Sequence, residues 1–78
     1  LFMALVSSIT HQASLEPSTH AAADCTYDIV TDEEGRKFLQ IDTYGSKARQ
    51  ILGKKSQSLR FDAAAITQLK QIIELHGL

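Results

Sequence analysis

Residues 26–44 read TYDIVTDEEGRKFLQIDTY, and their reading decides the fold. Tyr27, Ile29 and Thr31 alternate with Asp28 and Val30. After the acidic, glycine-ended step Asp32-Glu33-Glu34-Gly35, Leu39, Ile41 and Thr43 alternate with Phe38, Gln40, Asp42 and Tyr44. A period of two places alternate side chains on opposite faces of a strand. Glycine is the residue best able to take the positive φ that a tight turn requires. The stretch therefore predicts a β-hairpin, with strands over 26–31 and 36–44.

Downstream, the same alternation returns in QSLRF at 57–61, with Leu59 and Phe61 facing inward and Ser58 and Arg60 outward. Asp62 is suited to cap a helix. The following run AAAITQLKQIIELH lines up Ile66, Leu69, Ile72 and Ile73 along one stripe, and Gly77 is placed to end it. Upstream, Phe2, Leu5, Val6, Ile9 and Ala13 fall on one helical face before Pro17, which predicts an N-terminal helix. Residues 16–25 read as a connector. The expected fold is α+β: a small antiparallel sheet, hairpin plus third strand, covered by a C-terminal helix, with an additional N-terminal helix. Residues 1–25 form the helix and connector, and residues 26–78 the sheet-and-helix domain.

At 78 residues the chain is near the size at which one core is marginal, so a second copy is a natural source of further burial. The single cysteine, Cys25, forms no internal disulfide, which fits a reducing compartment and a cytoplasmic location. The opening LFMALVSSI lacks the positive flank of an export signal and is too short to span a bilayer.

Net charge is −1, but its distribution is uneven. Glu16, Asp24, Asp28, Asp32, Glu33 and Glu34 precede a window containing Arg36, Lys37, Lys47, Arg49, Lys54, Lys55 and Arg60, where Asp42 is the only acid. Such a region attracts anions. His11, His20, His76 and Cys25 have no metal-ligand spacing, and Cys25 is not set in a strand-to-helix elbow with a base beside it. Gly53-Lys54 lacks the glycine spacing of a phosphate-binding loop. The expectation is a non-enzymatic protein without metal, cofactor or small-molecule substrate.

Cations beside aromatic rings on a sheet suit single-stranded nucleic acid. Lys47, Arg49, Lys54, Lys55 and Arg60, with Arg36 and Lys37, are the expected phosphate contacts, and Tyr44 or Phe38 the stacking ring. Ser56, Gln57 and Ser58 add uncharged hydrogen bonds. The competing reading is a protein-interaction or homo-oligomerisation module, in which the helices containing LFMALV and IIEL form the dimer or partner surface and the cations a solvated rim. Lysine-rich loops also commonly serve only to blunt strand edges.

FLQIDTY, a glycine-bearing basic loop, GKKSQSL and a helix with QLKQII together resemble the positive cofactor four family of transcriptional coactivators. Gly53, Lys55, Ser58 and Leu59 match that family's Gly-x-Lys-Gly-Ile-Ser-Leu motif, and Gln68, Leu69 and Lys70 its Gln-Leu-Lys. Asp42 stands where the family pattern has arginine, Ser56 and Gln57 replace Gly-Ile, and Ile66 falls near the usual tryptophan. The likeness covers residues 26–75. The chain is also similar to small bacterial proteins bearing IDTYGS…GKxSQSxxFD. The family resemblance implies a homodimer of curved antiparallel sheets and C-terminal helices, with single-stranded DNA lying across the sheets.

Overall fold

The computed structural model describes residues 3–14, 22–44 and 57–78. They form an α+β unit of four strands and one helix: β1 Met3–Val6, β2 Cys25–Thr31, β3 Lys37–Thr43, β4 Gln57–Phe61 and α1 Ala63–His76. The sheet order is β1-β4-β3-β2. β2, β3 and β4 form an antiparallel meander, with Tyr27 opposite Ile41 and Ile41 opposite Leu59.

The hairpin has the predicted alternation, and its connection is built around one carboxylate. Asp32 Oδ1 accepts from the amides of Glu34 and Arg36, each at 2.9 Å, while Oδ2 accepts from Arg36 Nε at 2.7 Å. The amide of Gly35 donates to Asp32 O at 3.1 Å, and Gly35 adopts φ 81°. Glycine alone takes that conformation without steric cost. The hydrogen bond from the Arg36 amide is the main cause holding the Asp32 carboxyl below its ordinary pKa.

The predicted N-terminal helix is absent. Met3–Val6 is instead a strand pairing parallel with β4, Met3 to Ser58 through Val6 to Phe61. Residues 7–14 have no regular structure. The sheet is therefore mixed rather than wholly antiparallel. A short apolar run does not distinguish strand from helix by periodicity. Here the outer side of β4 supplies hydrogen-bond partners that an isolated helix would have to nucleate for itself. The ladder continues one step further, as the Asp62 amide donates to Val6 O at 3.2 Å.

Helix α1 matches its predicted limits. Asp62 Oδ1 accepts from the Ala65 amide at 2.9 Å, capping the start. At the far end Gly77 takes φ 65°, its amide donates to Glu74 O, and the Leu78 amide donates to Ile73 O at 3.0 Å. These are the two bonds of a Schellman closure. His76 lies in the last turn, where a cation is favoured by the helix dipole.

The pleat divides the side chains between two faces. Val6, Phe61, Leu39 and Ile29 form one cross-sheet row on the helix side, and Ala4, Leu59, Ile41 and Tyr27 form the next. A helix with its side chains is about 10 Å across, whereas four strands about 4.8 Å apart span roughly 14 Å between their outer axes. One helix therefore covers about two strands, and α1 packs on β3 and β4. The segment after β1 flanks it: the Ile9 amide donates to Gln68 Oε1 at 2.9 Å, and Ile9 lies beside Ile72 and Leu75. Among the described residues Ala65 is the one fully buried apolar side chain.

A lowered folded-state pKa at Asp32 stabilises the hairpin above the ordinary carboxylate range, and this contribution is lost as pH falls through the lowered value. An NMR titration should place the Asp32 midpoint below that of an aspartate in an unstructured peptide. In Asp32→Asn, acidification should no longer alter the Arg36 amide shift. An Asp32 midpoint equal to that of an unstructured peptide would contradict this account.

Candidate interaction surfaces

The face turned away from α1 carries a polar chain across β4 and β3. Asp42 and Ser58 are register partners, as are Gln40 and Arg60. Ser58, 2% exposed, donates its hydroxyl to Asp42 Oδ1. Gln40 Nε2 donates to the same carboxylate at 3.2 Å, and its Oε1 accepts from Arg60 at 2.6 Å through Nη2 and 3.2 Å through Nε. A buried carboxylate needs such donors, since desolvating a charge without partners is costly. Ser58 does not project outward into solvent as the alternation suggested. It lies on the expected face, but buried against Asp42.

The aromatic candidates lie on the same face. Phe38 is half-buried beside Arg60, Leu5 and Met3. The Tyr44 hydroxyl shares a hydrogen bond with Thr26 Oγ1 at 2.9 Å.

The three described cations of the basic window diverge. Arg60 lies on this polar face, bound to Gln40. Lys37, one position from Phe38, lies on the opposite side with Leu39, at a groove shared with Ile29, Ile66 and Lys70. Arg36 belongs to the hairpin connection, with its guanidinium on Asp32 and, at 3.3 Å, on Glu34. Lys47, Arg49, Lys54 and Lys55 lie outside the described residues, as do Ser56 and His20. Residues 45–56 follow Tyr44 and precede Gln57, and Gln57 pairs with Thr43. The described residues on either side of that basic segment thus meet at one end of the sheet.

The helix side has a different character. Tyr27 is 75% exposed and Ile29 53%, both on β2, with Ile29 bordering the groove beside Ile66 of α1. Leu59, expected to face inward, is on the helix side yet 41% exposed. From the helix, Ile73 at 42% and Leu75 at 79% add to the exposed apolar surface. Sequence reasoning placed IIEL, with Ile73 and Leu75, in a partner surface but did not single out Tyr27, Ile29 and Leu59 as part of one. The signal was present in the period-two placement of Tyr27, Ile29 and Leu59, but the width of the sheet relative to one helix decides their exposure.

Cys25 opens β2 and is exposed. Among the described residues no group of three or more His, Cys, Asp or Glu side chains is placed to hold a metal ion, and no helix is long and apolar enough to cross a membrane. No protein-family model, curated protein or solved structure matches the chain. The resemblance to positive cofactor four accordingly rests on the sequence motifs.

Replacing Ser58 with alanine removes a buried donor from the Asp42 carboxylate. The loss should lower the unfolding free energy by roughly 1–3 kcal/mol, measured by urea denaturation. A midpoint unchanged from wild type would contradict the buried network.

Proposed function

We propose that the chain is a non-enzymatic self-associating module in which two copies join through the apolar helix side of the sheet. The observation that carries this reading is the row Tyr27–Ile41–Leu59, apolar across three strands and left partly open by α1. Burying it requires another surface, and a two-fold dimer sets the same patch of each copy against its equal. Exposed apolar patches on small soluble domains mark such contacts. Aromatic residues are enriched among the few side chains that dominate binding, which makes Tyr27 the natural anchor.

A second reading has its own support. Phe38, Tyr44 and Arg60 share the face turned away from the helix, and the segment carrying Lys47, Arg49, Lys54 and Lys55 follows Tyr44 in the chain. This suits binding of single-stranded nucleic acid by a dimer, with Tyr44 or Phe38 stacking a base, as the positive cofactor four resemblance implies. Arg36 and Lys37 border Phe38 and Leu5 at the hairpin end of the sheet, with the Arg36 guanidinium also on Asp32 and Glu34. The four segment cations and Arg60 are the phosphate contacts in this reading.

Sedimentation of the wild-type protein should give a species of two chains at micromolar concentration. Tyr27→Asp should raise the dissociation constant about a thousandfold, reckoning about 2 kcal/mol for each of two buried rings. A wild-type sedimenting as a single chain at every accessible concentration contradicts self-association.

For the second reading, anisotropy of a labelled single-stranded oligonucleotide should give a log-affinity slope against log salt of roughly −3 for four phosphates met. The Lys54→Ala, Lys55→Ala double variant should make that slope shallower by about half and weaken all sequences alike. No binding at low salt, or a flat salt response, removes the nucleic-acid reading and leaves the dimer standing.

A further inference from the structure

Strand β2 is an edge of the sheet, with β3 on its inner side and no strand among the described residues on its outer side. It is seven residues long, and all but Val30 are exposed. An exposed strand rich in β-branched and aromatic residues is a template for pairing with another chain. In an antiparallel ladder successive amides point alternately to the partner and to the free side. The Ile29 amide points to the free side, because it donates to Asp28 Oδ1 at 2.8 Å. A carboxylate thus occupies an amide that an incoming strand would need.

Asp28 is also the midpoint of Cys25–Thr31. If two copies of β2 paired antiparallel in full overlap, Tyr27 of each would stand opposite Ile29 of the other, a favourable aromatic and β-branched pair. The same register sets Asp28 against its own copy, and like charges directly opposite are unfavourable. The strand is therefore self-complementary at every central position except the one held by Asp28.

We propose that Asp28 guards the β2 edge against a second copy of this chain, both by engaging the Ile29 amide and by repelling its counterpart. Removing the carboxylate opens strand-to-strand pairing through β2. This holds whether or not the helix-side surface joins two copies, because it concerns a different boundary of the sheet.

The test compares the full chain with Asp28→Thr, and with Glu33→Gln, which removes one charge from the neighbouring hairpin tip. Asp28→Thr should shift from the wild-type sedimentation boundary to fast-sedimenting, thioflavin-binding assemblies, while Glu33→Gln keeps the wild-type boundary. An Asp28→Thr protein that keeps the wild-type boundary overturns the proposal. So does equal assembly by Glu33→Gln, since net charge would then be the cause. In the unaltered protein, NMR should detect a coupling across the hydrogen bond between the Ile29 amide nitrogen and the Asp28 carboxyl carbon. Its absence, with the Ile29 amide exchanging as fast as an open edge amide, also overturns the proposal.

Discussion

The width of the sheet relative to its one helix is the constraint on which the rest of this structure depends. Hydrogen bonding fixes strand spacing near 4.8 Å, and helix geometry fixes a cover about 10 Å wide. With four strands and a single helix, one flank of the helix-side face must be covered by something else or left exposed. On the β1 side, Ala4 is small, and Ile9 with its neighbours packs against the helix flank. On the β2 side the strand carries Tyr27 and Ile29, and the described residues provide no comparable cover. The self-association reading follows from that asymmetry rather than from any motif.

The opposite face obeys a different rule. Its centre is satisfied internally: Ser58 and Gln40 donate to Asp42, and Arg60 donates to Gln40. Lys37 and Arg60 are separated by the sheet itself, although they stand on neighbouring strands. Arg36 neutralises the acids that shape its own turn.

Much of this architecture was legible in the sequence where local signals agreed with one another. The hairpin carried both period-two alternation and a glycine at the turn, and Gly35 occupies the positive φ that was expected of it. The C-terminal helix carried a cap, an apolar stripe and a terminating glycine, and Asp62 and Gly77 perform those roles. The N-terminal segment failed because MALV satisfies a helical stripe and a strand equally well. Its state was decided by β4, more than 50 residues away in the chain, through the pairing of Met3 with Ser58. The exposed row on the helix side was illegible for a related reason. Alternation assigns a residue to a face, but whether that face is covered is a property of the assembled layers. Ser58 illustrates the converse, since alternation put it on the right face while its burial came from a partner on β3.

The most direct test of the central claim is an isotope-filtered NMR experiment on a mixture of labelled and unlabelled chains, which reads only contacts between copies. The account predicts cross-peaks from the Tyr27 ring of one chain to apolar methyl groups of the other, among them those of Leu59 and Ile73. A spectrum in which the Tyr27 ring has no contact with any second copy, at concentrations where the protein is fully folded, would contradict it.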